Sequence, residues 1–365
     1  MYLNDLKTRV EHLLALGDVR IGGDRPWDIS VHDERFYSRV LGQGSMGLGE
    51  SYMDGWWDCP QLDEMFSRMF RADGKHAMQS AWQDAITNFR ATLLNLQTRT
   101  RSVPNVREHY DLGNELYFDM LDHRLVYSCG NWERAGSLDE AQEAKLDFVC
   151  RKLGLTAGQR ILDIGCGWGS FGKFAAEKYG AAVVGITLSK QQAEFGREKC
   201  ADLPVEIRLQ DYREVDEQFD HIVSLGMFEH VGYKNYRTYM RVVRRCLKEG
   251  GRFFLESIGS NQSQHATDPW IDKYIFPGSM LPSIKQVGKA MEGLFIAEEL
   301  HNWGPYYDRT LMVWFRNFQE HWNELQARYG QRFYRMWKYY LLLSAGLFRS
   351  RAIQDWEILL TPCDL

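Results

Sequence analysis

The heptapeptide Asp163-Ile164-Gly165-Cys166-Gly167-Trp168-Gly169 lies between an apolar strand and a helix in this 365-residue chain. The strand is predicted over Arg160 to Ile164 and the helix over Ser170 to Tyr179. Glycine lets the backbone turn sharply and lets a ligand lie against bare peptide. Because open α/β sheets bind ligands where their parallel strands end, this segment predicts a ligand site at one edge of a parallel sheet.

The same alternation continues downstream, where short apolar runs are separated by amphipathic helical stretches. It predicts an α/β fold with a mainly parallel sheet covered on both faces. The other predicted elements are strands at Ala182 to Gly185, Val205 to Leu209, His221 to Ser224 and Gly251 to Ser257, and helices at 189–200 and 236–247. Residues 259–295 form a long connection, which is typical of a segment that covers a substrate.

The spacing of apolar residues in residues 1–100 predicts a smaller, mostly helical domain. Apolar residues recur at helical spacing from Leu3 to Leu14 and again from His76 to Leu96. Between them, the glycine-dense segment Gly42 to Tyr52 predicts a turn or loop. The polar run Thr98 to Asn105 has the composition of a linker, so the second domain is predicted over residues 101–365.

Composition excludes several classes of protein. The 44 Lys and Arg residues against 49 Asp and Glu give a net charge of −5, which argues against a nucleic-acid partner. The seven cysteines include no C-x-x-C pair, so we expect free thiols and no metal site. No secretory signal and no run of about 18 apolar residues is visible, which favours a cytoplasmic protein.

The residues at the strand ends point to the kind of ligand. A nicotinamide site favours an acidic residue after the second strand, where this chain has Thr187-Leu188-Ser189-Lys190. The third strand ends in Gln210-Asp211-Tyr212, where a carboxylate and a ring could contact an adenine; alternatively, Asp211 caps a helix or turn. With its D-x-G-x-G-x-G spacing, the heptapeptide resembles the S-adenosylmethionine loop of class I methyltransferases.

Further strings extend this resemblance along nearly the whole chain to the cyclopropane-fatty-acyl-phospholipid and mycolic acid cyclopropane synthase family. They are His109-Tyr110-Asp111-Leu112-Gly113-Asn114, Tyr127-Ser128-Cys129, Leu162 to Gly169, Gly185-Ile186-Thr187-Leu188-Ser189, Met227-Phe228-Glu229-His230-Val231-Gly232, Asp268-Pro269-Trp270-Ile271 and, near the N-terminus, Gly47 to Trp57. The resemblance implies a class I S-adenosylmethionine-dependent methyltransferase fold, Rossmann-like, with a seven-stranded, mainly parallel sheet. It also implies transfer of a methylene group from S-adenosylmethionine to a cis double bond in a phospholipid acyl chain.

The resemblance further assigns a cofactor site to residues 101–365, and to the N-terminal domain a role in dimerisation and membrane engagement. The residues expected to contact S-adenosylmethionine are Tyr127, Ser128, Asp163, Gly165, Gly167, Thr187, Leu188, Gln192, Gln210, Asp211 and Tyr212. The implied partners are a phospholipid bilayer, at the inner face of the membrane, and a second copy of the chain.

The chemistry requires a base. Attack of an alkene on a sulfonium methyl group leaves a carbocation, and ring closure then needs removal of a proton in a pocket that excludes water. In the family, this base is a bicarbonate held by a Cys, a Glu, a His, the backbone of an Ile and a Tyr. Four of the five match here, as Cys129, Glu229, Ile258 and Tyr307, but Glu256 stands where the family usually has His.

Two carboxylates should oppose a bound anion and raise the pKa of one member of the Glu229/Glu256 pair. The hypothesis is that Glu256 supplies the base and that bicarbonate is dispensable. Alternatively, Glu256 points elsewhere and bicarbonate still binds. Two further alternatives are a methyl-branched product and a lipid carrier without turnover. In residues 328–340, basic side chains lie opposite aromatic rings, as in a helix at a membrane surface or in one that covers a protein core.

Overall fold

The computed structural model describes residues 2–71 and 113–363. The chain divides into two compact units. One contains residues 2–71, 266–275 and 308–353, and the other contains residues 113–265, 276–307 and 354–363. The predicted helix at 76–96, the boundary near residue 100 and the string His109 to Leu112 lie outside the described residues.

The first unit is mostly helical. A short pair of antiparallel strands, β1 (Ser30–Val31) and β2 (Trp57–Asp58), accompanies its helices. Those helices are Tyr2–Ala15, Arg35–Met53, Leu62–Arg71, Pro269–Tyr274 and Trp322–Arg349, together with Gly304–Glu320, which both units share. No helix in residues 2–71 or 113–363 combines the length and apolar character needed to cross a bilayer.

The glycine-dense segment Gly42 to Tyr52 is not a loop, so that prediction is wrong. It lies within helix Arg35–Met53, which departs from helical geometry only at Gly44 (φ 57°). A Cβ atom at Gly49 would collide with the ring of Trp270, and one at Gly47 would collide with the carbonyl of Arg39. The glycines therefore permit close packing of a helix, which sequence spacing does not distinguish from a turn.

Several basic and aromatic side chains of residues 328–340 form ion pairs or pack within the helical unit. Arg332 and Arg335 pair with Asp54 and Asp58 at 3.0 and 2.8 Å. Trp337, on the aromatic face, is buried. These contacts favour the packing interpretation of this helix.

The second unit is built on a seven-stranded sheet of order β5-β4-β3-β6-β7-β9-β8. The strands are β3 (Arg160–Ile164), β4 (Ala182–Thr187), β5 (Val205–Leu209), β6 (Phe219–Leu225), β7 (Leu247–Ser260), β8 (Phe295–Asn302) and β9 (Ile353–Pro362). The pairs among β3 to β7 are parallel, and β8 is antiparallel to β9. The predicted fold class and all five predicted strands are confirmed, whereas the strands β8 and β9 were not located from the sequence.

Helices cover the sheet and hold its apolar side chains away from water. They are Asn114–Met120, Leu138–Leu153, Ser170–Tyr179, Lys190–Lys199, Tyr236–Cys246 and Ile284–Met291. Helix Leu138–Leu153 begins with a capping box between Ser137 and Glu140 and ends at Gly154 in the left-handed conformation. It packs Leu146 and Val149 into a core with Phe254 of β7 and Leu359 of β9. All seven cysteines are free thiols, as predicted.

Candidate active site

A cavity lies where β3, β4, β5 and β6 end. All eleven residues predicted to contact the cofactor line it: Tyr127, Ser128, Asp163, Gly165, Gly167, Thr187, Leu188, Gln192, Gln210, Asp211 and Tyr212. Its wall also includes residues that the sequence did not single out for the cofactor, among them Leu146, Pro277 and Gly278. Pro277 and Gly278 belong to the connection predicted as a substrate cover.

The glycine loop forms one wall of the cavity with its backbone. Gly165, Gly167 and Gly169 have φ angles of 89°, 53° and 81°, which side-chain-bearing residues rarely adopt. A Cβ atom at Gly165 would lie 2.7 Å from the side chain of Met227, whereas the space beside Gly167 is open. The loop is anchored because the Gly165 and Cys166 amides both donate to the Ile186 carbonyl, at 2.9 and 3.0 Å.

Hydrogen bonds hold the neighbouring strand ends in place. The Thr187 hydroxyl donates to Gln192 Oε1 at 2.9 Å, and the Gln210 amide donates to the Thr187 carbonyl at 3.1 Å. Asp211 accepts from the Arg213 amide at 2.9 Å and so caps the turn Tyr212–Glu214. Asp211 therefore lines the cavity and also caps a turn, so the two interpretations of this residue are compatible.

Asp163 provides a test of whether this cavity suits S-adenosylmethionine. Its side chain is buried in the cavity wall, and burial raises the pKa of its carboxyl to about 7, although the Lys145 charge opposes this rise. A cationic group beside Asp163 would stabilise the ionised form. S-adenosylmethionine carries an ammonium and a sulfonium group, so the acid and the open glycine loop fit this ligand.

The five predicted catalytic residues are Cys129, Glu229, Glu256, Ile258 and Tyr307. Ile258 is partly buried and the other four are buried, but none contributes to the cavity wall as the described residues form it. Glu229 accepts a hydrogen bond from the Ile258 amide through Oε1, at 2.6 Å. The Cys129 thiol lies 3.7 Å from the Trp303 carbonyl, which also accepts from the Tyr307 amide at 3.1 Å. The structure thus joins Glu229 directly to Ile258, and Cys129 to Tyr307 through one carbonyl.

The surroundings of Glu229 favour the protonated form of its carboxyl group. Burial raises its pKa to about 8, the charge of Glu256 adds to the rise, and the Ile258 amide opposes it. This direction agrees with the expectation for two neighbouring carboxylates. Glu229 Oε2 has no hydrogen-bond partner among the described residues. A carboxylate with one oxygen held and one unpartnered is suited to accept a proton.

Glu256 occupies a different electrostatic setting. Its Oε2 lies 2.6 Å from the Lys145 ammonium and accepts from the Ser128 hydroxyl at 3.3 Å. Lys145 also contacts that hydroxyl and is itself inaccessible to solvent. Lys145 was not predicted as a site residue. It lies beside the core residue Leu146 on an amphipathic helix, where a lysine is typical of the solvated face.

Two more acids accompany Glu256 and were also missed. Asp355 and Glu357 alternate with Trp356 and Ile358 along β9, a pattern typical of a strand with one face in water. In the structure β9 lies between β7 and β8, and both carboxylates are fully buried. The sequence signal was weak: Glu256 follows an apolar run, and Asp355 and Glu357 alternate with apolar residues.

A mostly parallel seven-stranded sheet with a glycine-loop cavity at its strand ends defines a class I S-adenosylmethionine-dependent methyltransferase. A family model described as mycolic acid cyclopropane synthetase matches residues 97–358, and the chain belongs to that family. It is 48% identical over 346 residues to the cyclopropane-fatty-acyl-phospholipid synthase of Escherichia coli K12, covering 95% of this chain and 91% of that protein.

Two other relatives widen the comparison. The tuberculostearic acid methyltransferase UfaA1 of Mycobacterium tuberculosis is 32% identical over 343 residues, covering 88% of this chain and 80% of its own. The crystal structure of the mycolic acid cyclopropane synthase CmaA1 complexed with SAH and CTAB superposes with a TM-score of 0.67 at 32% identity, covering 71% of this chain and 97% of that one.

Proposed function

We propose that this protein transfers a methylene group from S-adenosylmethionine to the cis double bond of unsaturated acyl chains in membrane phospholipids, forming cyclopropane fatty acids. The observation that carries the proposal is the buried Glu229. Its Oε2 accepts no hydrogen bond from the described residues, and the next residue, His230, lines the cavity. Methyl transfer to an alkene requires a base in a dry site, which ordinary transfer to an amine does not.

The chain's own residues bind and orient the reactants in this proposal. The glycine loop and the Gln210 to Tyr212 turn hold S-adenosylmethionine, which when bound supplies the electrophilic methyl group. Asp163 balances its positive charge. His230 lines the cavity as a neutral imidazole, because burial lowers its pKa to about 4, and so adds no charge that would oppose a cation.

The contacts favour Glu229 over Glu256 as the proton acceptor. The Glu256 carboxylate already contacts Lys145 and Ser128 through Oε2, so that oxygen is not open to a substrate proton. Glu229 has an oxygen without a hydrogen-bond partner in the described part of the chain. Its raised pKa means that it holds a proton more strongly once it has accepted one. We infer that Glu256 does not take the proton itself and instead holds Lys145 and Ser128 in place.

Bicarbonate is predicted to be dispensable. A His donor at position 256 could bind the anion, whereas the Glu256 carboxylate accepts hydrogen bonds and repels it. Turnover in buffer freed of carbon dioxide should change less than about twofold when bicarbonate is added. The companion variant Glu256→His should gain a dependence on bicarbonate. Strong stimulation of the unaltered protein would overturn this prediction.

Product mass tests the proposed reaction. Full-length protein incubated with methyl-labelled S-adenosylmethionine and vesicles of unsaturated phospholipid should add a methylene to the acyl chain. A methyl-branched product carries two more hydrogens, and the similarity to a tuberculostearic acid methyltransferase gives that alternative its support. Vesicles of saturated phospholipid are the control. Binding of lipid without transfer of label would indicate a carrier and would contradict the proposal.

The proposed partners are a bilayer surface and a second copy of the chain. Acyl chains lie within a membrane, so the protein must visit the surface, at the inner face if it is cytoplasmic. The proposal of both partners rests on the resemblance of this chain to phospholipid synthases. Co-sedimentation with the assay vesicles and the mass in solution measure them directly.

A further inference from the structure

A cluster of three carboxylates is enclosed beside the sheet, outside the cofactor cavity. Glu256 belongs to β7, and Asp355 and Glu357 belong to the neighbouring strand β9. Their exposed fractions are 1%, 0% and 0%. Each offers one carboxylate oxygen, and these three oxygens lie within 4.8 Å of one another.

Within residues 2–71 and 113–363, one ion pair offsets the charge of this cluster of three acids. Lys145 compensates one carboxylate through its 2.6 Å contact with Glu256. All four carboxylate oxygens of Asp355 and Glu357 are buried and have no hydrogen-bond partner within the described part of the chain. Burial of unpaired carboxylates costs several kcal/mol each. Such a group avoids this cost either by holding a proton or by binding a cation, and three oxygens within 4.8 Å of one another favour a shared cation.

The geometry fits a metal ion. Oxygen ligands lie about 2.0 to 2.6 Å from Mg²⁺ or Ca²⁺, so two ligands on opposite sides of one ion are about 4 to 5 Å apart. The spacing of the three oxygens is within this limit. When all three carboxylates are ionised, they and the Lys145 ammonium leave two negative charges, which a single divalent cation neutralises.

We propose that Glu256, Asp355 and Glu357 bind one divalent cation of the oxygen-preferring class, Mg²⁺, Ca²⁺ or Mn²⁺. Carboxylate oxygen is the ligand such cations favour, whereas zinc sites are usually built from thiolate and imidazole. The ion would tie β7 to β9 and hold Glu256 next to Ser128, which lines the cofactor cavity. This site is independent of the proposed reaction, because its binding is measured without turnover.

A second acidic group of the same size provides the matched control. Asp122, His123 and Asp139 also bring three ligand atoms within 4.8 Å of one another, but His123 and Asp139 are exposed. His123 already pairs with Asp139 at 2.8 Å. Exposed acidic groups exchange ions with water and need no metal. The variant Asp139→Asn therefore removes a carboxylate of the same kind without touching the buried cluster.

The experiment measures metal content and metal affinity in the full-length protein. Protein produced in medium with added Mn²⁺ is desalted and analysed for Mn and Mg by mass spectrometry, then treated with EDTA and titrated with Mn²⁺. The unaltered chain and D139N should carry close to one ion each. The double variant D355N/E357Q should carry less than a tenth of that, and each single variant should lose at least tenfold in Mn²⁺ affinity.

A thermal unfolding scan separates metal loss from misfolding. Mn²⁺ should raise the Tm of the unaltered chain and of D139N but leave the Tm of the folded double variant unchanged, because only a bound ion stabilises the native state. The single variants keep the comparison available if the double variant does not fold. The proposal is overturned if the unaltered chain holds less than a tenth of an ion after exposure to millimolar Mn²⁺ and Mg²⁺, or if D355N/E357Q holds as much as the unaltered chain.

Discussion

Replacement of Glu229 by Gln is expected to lower turnover by about 10²- to 10⁴-fold, the range typical of loss of a general base. Gln has the same shape and can still accept from the Ile258 amide, so the cavity should survive. Affinity for S-adenosylmethionine, measured by calorimetry, should change less than about twofold, because Glu229 does not line the cavity. A loss of affinity equal to the loss of turnover would indicate a structural role instead.

The pH dependence of turnover provides an independent test of Glu229. Its pKa of about 8 means that the carboxyl is mostly protonated at pH 7 and becomes competent as the pH rises. The rate with unsaturated phospholipid should therefore increase about tenfold per pH unit well below 8 and level off above it. Glu324→Gln, which changes an exposed glutamate in the helical unit, should keep this profile. A flat profile in the unaltered protein would exclude Glu229 as the base.

Replacement of Gly165 by Ala is expected to weaken binding of S-adenosylmethionine by roughly 30-fold. The added Cβ atom would lie 2.7 Å from Met227 in a backbone with φ of 89°, so the loop or Met227 must move. Displacement and strain together cost about 2 kcal/mol, and 1.4 kcal/mol corresponds to tenfold in affinity. Calorimetric titration with S-adenosylmethionine measures the loss.

Gly158 offers the matched control for this variant. It has a φ of 83°, and an added Cβ atom there would meet no atom within 4 Å. Gly158→Ala therefore introduces the same kind of backbone strain away from the cavity. It should lower the Tm but leave the affinity for S-adenosylmethionine within about twofold. Equal losses of affinity in the two variants would show that strain, and not the shape of the cavity, explains the effect.

Sequence patterns over a few residues were sufficient to predict the elements and residues that form the cofactor cavity. The strand over Arg160 to Ile164 and the helix over Ser170 to Tyr179 have the predicted bounds, because apolar periodicity and glycine conformations act over a few residues. Parallel strands necessarily end at the same edge of a sheet, so residues that follow separate strands meet there. For this reason, all eleven residues predicted to contact the cofactor line one cavity.

Local rules failed where a side chain's environment depends on distant segments. The glycines at 47 and 49 read as a loop, but Trp270, more than 200 residues away, makes Gly49 a packing position within a helix. Asp355 and Glu357 lie on β9, a strand that the sequence did not predict, and they alternate with apolar residues as on a strand with one face in water. They are buried because β9 is inserted between β7 and β8, a pairing that no local pattern specifies.

The sequence by itself determined the class I fold, the glycine loop and the family. Apolar residues at the spacing of strands and helices predicted the fold, and short motifs identified the loop and the family. Only the tertiary structure decided how the buried charges are shared. It ties Glu256 to Lys145, and among the described residues it leaves one oxygen of Glu229 and the carboxylate oxygens of Asp355 and Glu357 buried without a hydrogen bond. The physical reason is that burial and electrostatic pairing depend on distances between segments far apart in the chain, and these are set only when the sheet assembles.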